Sequence, residues 1–399
     1  MSYLNDNISF GDRRLVGQQN TKQQVEKILR SGRLSHAYLF SGPDGVGKTA
    51  FALAMAEVIN GVDHLTDLKG SATSKKSSWF THPDIHLFLP MPSKVNAEEL
   101  PKRLKMLSKD PYEIVDFSLR PALEDADSGK NRRAFYSIDY FHEEIRPRTV
   151  YKPNEGIRTI VILEGIDTMR KESANAFLKL LEEPSDDILF LLTASKTDNL
   201  LPTIISRCQQ IRLQSLSQKE IRDGLMNYDG ADAEEAEFLA RIADGNYSLT
   251  RFYDAETLKI SRDRSIDFLR HSYTQQVPEL LQIIRDWNKM NKENQIALCN
   301  TLEMLLRDIL VFKETGNERL VTNADKLPVI QKFCSSMVDA RLNEMIENLQ
   351  HLKTLLYQNV QFKLIFTVLS FRFSYLMRGN DPVITGEDSW KHLPAYSEL

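Results

Sequence analysis

The chain has 399 residues, a formal net charge of -4, and 42% hydrophobic and 27% charged residues. This composition is ordinary for a globular protein, and the length is sufficient for two or three domains. The charge excludes a global excess of positive charge of the kind that marks many nucleic-acid-binding proteins, although a local basic surface remains compatible with it.

The cellular compartment is also constrained by the sequence. No stretch approaches the run of about 18 apolar residues that a membrane span needs, and the polar N-terminus has no apolar signal region. The cysteines Cys208, Cys299 and Cys334 are far apart and odd in number. Such a set is typical of free thiols in a reducing environment. We therefore expect a cytoplasmic protein that has no contact with membranes.

The first predicted elements are a helix and a buried strand. A helical apolar pattern runs from about Thr21 to Arg30, and Gly32 ends it. Residues 37–40 then form a short apolar run that favours a buried strand. His36 lies at the start of that strand, where a structural role is the simplest interpretation.

Residues 42–49 read GPDGVGKT, which is the G-x-x-x-x-G-K-T pattern of the Walker A phosphate loop. A strand precedes this loop and a helical pattern follows it, as a true phosphate loop requires. Its glycines allow the backbone N–H groups to surround an anion at a helix N-terminus. We therefore predict ATP and Mg²⁺ as cofactors, with Lys48 on the β- and γ-phosphates and the Thr49 hydroxyl on Mg²⁺. The predicted binding residues are Gly42, Pro43, Asp44, Gly45, Val46, Gly47, Lys48 and Thr49.

The next segment has a turn, a short strand and a charged stretch. His82, Asp84 and His86 alternate, so an extended strand would place them on one face. We disfavour a metal site there because neither a cysteine nor a fourth ligand lies nearby. Residues 91–135 are rich in charged residues and interrupted by prolines. We interpret them as an insertion between two core strands, and favour a solvated surface excursion without its own activity.

The core returns after the insertion with two further strands, each a continuous apolar run. Repeated strand–helix units with apolar strands predict an α/β fold with a doubly wound parallel sheet. The predicted elements are a helix over 137–146, a strand over 159–163, a helix over 173–183 and a strand over 188–193.

Ligands of such sheets bind beyond the carboxyl ends of the strands. Lys48, Glu164 and Thr193 all lie at or just past such ends. Glu164 is therefore a further candidate residue of the nucleotide site.

The second half of the sequence is helical. A helical turn carrying Ser206, Arg207 and Cys208 leads into a short strand, and residues 217–220 then form a capping box. Residues 260–378 contain long helical patterns without a second active-site motif, and the tail after Gly379 is typical of a loop. The shorter helical patterns cover 218–227, 232–243 and 248–258.

Three segments resemble bacterial clamp-loader subunits of the AAA+ superfamily, most closely those of the delta-prime type in DNA polymerase III. They are residues 35–49 with the phosphate loop, residues 175–184 with the sequence NAFLKLLEEP, and residues 201–208 with the sequence LPTIISRC. The Leu-Glu-Glu-Pro and Ser-Arg-Cys elements together are much more specific than a phosphate loop alone. The matched segments fall within the first 215 residues, and the helical remainder is similar to the lid and collar of that family.

The resemblance implies the organisation of the whole chain. An AAA+ P-loop domain with a parallel sheet would cover 1–214, with the insertion at about 91–135. A small helical lid domain would cover 215–258, and an all-α collar domain for oligomerisation would cover 259–399.

Several positions depart from the family pattern. The family often carries four cysteines in a zinc module, but residues 61–90 contain none, so we expect no zinc. Active members end the Walker B strand with Asp-Glu, whereas this chain has Glu164 and Gly165. Glu164 is still able to reach the metal through a water, but Gly165 cannot act as a base. The lid arginine is matched by Ser248, and whether Arg251 replaces it stays open.

The resemblance implies a subunit that binds ATP weakly or without turnover. Its partners would be ATPase subunits of the gamma/tau type, a delta-type subunit, the sliding clamp and, through the complex, primer–template DNA. Arg207 would act in trans as an arginine finger, the alternative being a surface arginine in a salt bridge. Cys208 beside it is interpreted as a packing residue rather than a nucleophile.

Two other functions are less compatible with the sequence. A self-sufficient motor ATPase of the same machine is disfavoured by Gly165, by the missing zinc cysteines and by the lack of a long extension beyond the collar. A small-molecule P-loop kinase is disfavoured because the Ser-Arg-Cys element and the helical second half have no role in it.

Overall fold

The apolar runs of the sequence become the strands of one parallel sheet in the computed structural model of the chain. The strands are β1 (Ala37–Ser41), β2 (Ile85–Phe88), β3 (Thr159–Leu163), β4 (Ile188–Ala194) and β5 (Gln209–Arg212). Their order in the sheet is β2-β3-β4-β1-β5, and all neighbours are parallel. Every residue of β1, β3 and β4 is buried, as is typical of strands covered on both faces. The predicted α/β fold with a parallel sheet is confirmed.

The structure describes most but not all of the chain. The described residues are 10, 14–60, 79–93, 98–118, 120, 123, 133–252, 255–290, 292–321, 323, 326–357 and 360–380. Residues 61–78, which belong to the cysteine-free segment, therefore lie outside the described residues. Part of the insertion and the tail from residue 381 also lie outside them. The chain divides into two units, Met1–Arg251 and Phe252–Leu399.

The helices of the first unit follow the sequence signals closely. Helix α1 (Gln19–Ser31) ends where Gly32 adopts a left-handed conformation with φ 66°, and helix α8 (Gln218–Gly224) begins at the predicted capping box of Ser217 and Glu220. A π-helical turn over Phe141–Ile145 joins α4 (Ile138–Tyr140) to α5 (Arg146–Arg148) in the region of the predicted helix. Residues 247–252 form a 3-10 helix rather than an α-helix. The helices are α1 (Gln19–Ser31), α2 (Lys48–Ile59), α3 (Glu99–Lys109), α4 (Ile138–Tyr140), α5 (Arg146–Arg148), α6 (Lys171–Glu182), α7 (Pro202–Ile205), α8 (Gln218–Gly224) and α9 (Ala233–Ile242).

The described part of the insertion has a small core of its own. Arg103 of α3 is fully buried, and its guanidinium donates to the carbonyl oxygens of Val115 at 2.9 Å and Arg120 at 2.6 Å. The same guanidinium lies 3.9 Å from the centre of the Phe117 ring. These contacts order residues 98–118 around one buried cation, so the expected solvated excursion is wrong for this part of the insertion.

The second unit is entirely helical within the described residues. Its core is aromatic: Phe268, Trp287 and Phe366 have ring centres 5.3 to 5.8 Å apart. Its first helix begins at Ala255, so the predicted boundary between lid and collar falls inside a helix. Within the described residues, no helix combines the length and apolar character needed to cross a membrane. The helices are α10 (Ala255–Thr274), α11 (Val277–Asn288), α12 (Lys292–Thr315), α13 (Leu327–Ser336), α14 (Leu342–Tyr357) and α15 (Phe362–Leu376).

Candidate nucleotide site

The predicted phosphate loop connects the carboxyl end of β1 to the amino end of α2. Its three glycines have positive φ angles, 150° at Gly42, 68° at Gly45 and 99° at Gly47. A Cβ on Gly42 would lie 2.4 Å from the carbonyl oxygen of Leu213, beside the end of β5. The close approach of the loop to the sheet edge therefore requires glycine.

Lys48 is the first residue of α2, and its side chain folds back over the loop. Its Nζ donates to the carbonyl oxygens of Gly42 at 2.9 Å and Pro43 at 2.5 Å, and lies 3.9 Å from a carboxylate oxygen of Asp44. Burial lowers the pKa of Lys48, while Asp44, Asp167 and Glu164 oppose that shift. The cation thus lies over the loop, where the predicted phosphates would replace its contacts with carbonyl oxygens.

Thr49 and Glu164 meet at the predicted magnesium position. Their side chains are hydrogen-bonded, and burial, reinforced by Asp116, raises the pKa of Glu164 to about 7 against the opposing effects of Thr49 and Lys48. Its Oε2 atom is buried without a hydrogen-bond partner among the described residues. A hydroxyl and an unsatisfied carboxylate oxygen next to a phosphate loop fit the oxygen ligands of Mg²⁺. Bound Mg²⁺ would supply charge neutralisation for a triphosphate, and Thr49 and Glu164 would hold it.

Gly165 follows in the left-handed conformation, with φ 62° and ψ 47°. Its N–H donates to the hydroxyl of Thr193 at 3.0 Å, and the hydroxyl of Tyr136 lies 2.7 Å from the Glu164 carbonyl oxygen. The backbone after β3 is thereby held by buried polar groups from β4 and from the segment before α4. Gly165 therefore leaves this position, to which the resemblance assigns the general base, without a side chain.

The turn after α9 reaches the phosphate loop. The N–H of Ser248 donates to the Gly45 carbonyl oxygen at 3.3 Å. A Cβ on Gly45 would lie 1.5 Å from the Oδ1 atom of Asn246, so the amide of Asn246 covers this glycine directly. Ser248, which the resemblance aligns with the lid arginine, thus contributes a backbone contact to the loop.

Arg251 is engaged away from the phosphate loop. Its guanidinium lies 2.9 Å from Asp110 and 3.0 Å from Asp229, and 4.2 Å from the centre of the Tyr247 ring. Only 9% of its side chain is exposed. Arg251 therefore joins the insertion to the helical region after β5.

Tyr112 belongs to the site, although no sequence pattern singles it out. It comes from the insertion, is buried, and lies against Gly47, where a Cβ would be 2.8 Å from its ring. Its hydroxyl accepts a hydrogen bond of 2.7 Å from the N–H of Val16. No local motif marks Tyr112, since its neighbours lie far away in the chain.

Arg207 follows α7 and precedes β5. Its guanidinium donates to Glu182 at 2.9 Å and to the Thr203 carbonyl oxygen at 3.1 Å, and 34% of its side chain is exposed. Two predicted motifs, the Leu-Glu-Glu-Pro and the Ser-Arg-Cys elements, therefore meet through this ion pair. Cys208 beside it is buried, and burial raises the pKa of its thiol to about 12, so it is poorly suited to act as a nucleophile.

Arg207 and the phosphate loop of the same chain lie toward opposite ends of the sheet. β1 and β5 are parallel, with Tyr38 opposite Gln209 and Ser41 opposite Arg212. Arg207 precedes the start of β5, whereas the loop begins after the end of β1. The four residue steps from position 38 to position 42 span about 13 Å in an extended strand. The strand register therefore directs Arg207 away from the nucleotide site of its own chain.

The histidines and the carboxylate considered as a metal site have structural contacts. Buried Asp84 accepts hydrogen bonds of 2.6 to 2.7 Å from the backbone N–H groups of residues 154–156. Its own N–H donates to the Nδ1 atom of His82 at 3.1 Å. Among the described residues, no group of three or more His, Cys, Asp or Glu side chains has the arrangement of a metal site. Asp84 thus anchors the loop before β3.

Two family models match the chain. The model described as DNA polymerase III, delta subunit, matches residues 17–217. The model described as DNA polymerase III, delta subunit, C terminal, matches residues 259–374.

Comparison with individual proteins also finds similarity to DNA polymerase III subunits. The DNA polymerase III subunit delta' of Bacillus subtilis is 24% identical over 335 residues, which are 83% of this chain and 88% of the relative. The DNA polymerase III subunit tau of Escherichia coli is 28% identical over 60% of this chain, but only 31% of that relative is covered. A solved structure of a gamma subunit-related protein from Thermotoga maritima covers 90% of this chain and 99% of its own, with 16% identity and a TM-score of 0.38.

Proposed function

The chain belongs to the DNA polymerase III delta subunit family, and from this membership we propose that it is a delta-prime-type subunit of the clamp loader. It binds ATP weakly or without turnover, and it supplies Arg207 to the ATP site of a neighbouring ATPase subunit. The observation that carries the proposal is the combination of an intact phosphate loop with Gly165 at the position of the general base.

The expected lack of turnover follows from the residues at the end of β3. Phosphoryl transfer to water needs a group that orients and polarises the nucleophile. Gly165 has no side chain for this task, and its backbone N–H is already bonded to Thr193. ATP held by Gly42–Thr49, with Mg²⁺ on Thr49 and Glu164, would therefore stay intact in this chain.

The trans role of Arg207 is supported by its position and by its present partner. The strand register directs it away from its own phosphate loop, and a third of its side chain is exposed. An exposed ion pair such as that with Glu182 contributes only about 0–1 kcal/mol. Exchanging Glu182 for a phosphate of an adjacent subunit therefore costs little, and arginine matches phosphate geometry well.

The remaining regions take the roles of lid and collar in this proposal. Residues 215–258 form the lid, since the turn at residues 245–248 contacts the phosphate loop. Residues 259–399 form the collar that holds the subunits together. Support comes from α15, which carries exposed apolar side chains at helical spacing, a pattern suited to another subunit. They are Leu364, Val368, Phe371 and Tyr375.

The partners of the proposed subunit are the gamma/tau-type ATPase subunits, a delta-type subunit, the sliding clamp and primer–template DNA. The relatives named above are DNA polymerase III subunits, which supports a place in that complex. The chain would be part of the polymerase holoenzyme while contributing little ATPase activity of its own.

The decisive experiment is Arg207→Ala in a complex reconstituted with wild-type ATPase subunits. The mutant complex should assemble and bind ATP normally, while hydrolysis at the adjacent site falls steeply, since an arginine finger contributes ~10³–10⁵ in rate. Arg212→Ala, at an exposed position of β5, is the matched control. A wild-type single-turnover rate in the fully assembled Arg207→Ala complex would show that Arg207 is structural.

A motor ATPase is the second candidate, favoured by the intact phosphate loop and by the tau relative. Steady-state hydrolysis by the purified chain separates the two functions. Turnover of about 1–100 per second, the range of kinases, would support the motor and contradict the role proposed here.

A further inference from the structure

The side chain of Tyr112 fills a space between three parts of the first unit. Its hydroxyl accepts a hydrogen bond from Val16 N–H at 2.7 Å, in the segment before α1. Its ring lies against Gly47 of the phosphate loop. Its ring centre is 4.9 Å from that of Tyr247, in an edge-to-face arrangement. The side chain is 1% exposed, so the space is closed to solvent.

These contacts are the kind that a nucleobase makes. The space accepts a flat aromatic ring, places the Tyr247 ring nearly perpendicular to it, and has the Arg251 guanidinium 5.8 Å from the ring centre. It also directs one backbone N–H, that of Val16, at the polar end of the ring. A purine has ring nitrogens that accept such a hydrogen bond.

The location fits the same ligand. A nucleotide whose phosphates lie on residues 42–49 carries its ribose and base beyond the loop. The base then needs an apolar pocket with a few directed polar groups close by. The space beside Gly47 adjoins the loop and has both properties, and Tyr112 occupies it.

We propose that this space is the nucleobase subsite of the nucleotide site, and that Tyr112 competes for it with the base of ATP. The proposal rests on the nucleotide binding proposed above and gives a physical reason for its weakness. ATP binds fully only in molecules whose Tyr112 ring has left the subsite. If about one molecule in a hundred is open, the apparent affinity is about a hundredfold lower than that of the open site.

The insertion provides variants that isolate this effect. Tyr112→Ala removes the ring from the subsite. Tyr112→Phe keeps the ring but removes the hydrogen bond from Val16. Phe117→Ala is the matched control, because it removes another buried aromatic ring of the insertion, one that packs on Arg103. Lys48→Ala removes the phosphate contact and reports whether binding occurs at the loop.

The experiment is calorimetric titration of the full chain with ATP·Mg²⁺ and, separately, with inorganic tripolyphosphate and Mg²⁺. Tripolyphosphate has no base, so it tests the loop alone. We expect Tyr112→Ala to bind ATP at least about tenfold more tightly than wild type, by release of the closed population. Its affinity for tripolyphosphate, and the affinity of Phe117→Ala for either ligand, should equal those of wild type.

Other outcomes are equally informative. Unchanged or weaker ATP binding by a folded Tyr112→Ala protein, or an equal gain for both ligands, would overturn the proposal. If thermal melting shows that Tyr112→Ala is unfolded, Tyr112→Phe decides. Loss of one neutral hydrogen bond should then improve ATP binding about fivefold, and an unchanged affinity would overturn the proposal. Binding of neither ligand to any variant would refute the nucleotide site as well, while the trans role of Arg207 would stand.

Discussion

The variant Arg251→Ala tests whether Arg251 is a structural brace, which holds two segments of the first unit together, or a sensor that contacts the nucleotide. The guanidinium joins Asp110 of the insertion to Asp229 of the helical region, at 2.9 and 3.0 Å. Removing one partner of a buried ion pair typically costs about 3–5 kcal/mol. The two carboxylates keep 20% and 22% exposure, and Arg14 also contacts Asp229 at 2.7 Å. We therefore expect the lower end of the range, about 3 kcal/mol.

The measurement is urea unfolding of the full chain, with the transition of the first unit fitted separately. Arg222→Ala is the control, because Arg222 also pairs with two acids, Asp223 and Glu237, but is 37% exposed. Because exposed ion pairs stabilise little, Arg222→Ala should unfold close to the wild-type urea midpoint. A double-mutant cycle of Arg251→Ala with Asp110→Ala should give a coupling free energy of about 1–2 kcal/mol.

If Arg251 is a structural brace, its replacement also has a predictable effect on ligand binding. Arg251→Ala should leave the binding of inorganic tripolyphosphate with Mg²⁺ unchanged, because Arg251 contacts carboxylates rather than the phosphate loop. If the variant is as stable as Arg222→Ala but binds tripolyphosphate much more weakly, Arg251 acts on the phosphates and the reasoning from the ion pairs is refuted.

Three further predictions follow from the described contacts. Lys48→Ala should weaken ATP·Mg²⁺ binding in calorimetry, and unchanged affinity would contradict the assignment of the phosphate loop. Asp84→Asn should cost about 2 kcal/mol at pH 7, as for hydrogen bonds to a charged group. Burial raises the pKa of Asp84, but the N–H donors of residues 154–156 and His82 outweigh it, so the pKa lies below 3.8. The stability difference between wild type and Asp84→Asn is therefore present above pH 4 and should shrink as the pH falls further, which urea unfolding at pH 3 and pH 7 checks. Phe371→Glu on the exposed face of α15 should reduce co-purification with an ATPase subunit while Lys363→Glu does not, and equal yields would count against a collar contact there.

The sheet and the phosphate loop could be predicted because their signals are local. Each central strand is a continuous apolar run, and burial on both faces requires that pattern. The loop is specified by glycines whose φ angles few other residues adopt. The absence of a side chain at position 165 can likewise be read directly from the sequence.

The contacts around the site could not be predicted, because they join distant parts of the chain. Val16 and Tyr112 are 96 positions apart, and Arg251 and Asp110 are 141 apart. The insertion looked like a solvated segment because charged residues dominate it. The described part of the insertion is nevertheless ordered around Arg103, whose buried guanidinium donates to the carbonyl oxygens of Val115 and Arg120. Hydropathy alone gives no signal for such a residue.

The left-handed backbone at Gly165 has a consequence for the history of the protein. A glutamate placed there by a single codon change would enter a conformation that costs an ordinary L-residue about 1–2 kcal/mol. Its Cβ would meet Pro90 at ordinary contact distance, so backbone strain rather than crowding opposes the change. A carboxylate restored at this position by one mutation would therefore come with a loss of stability.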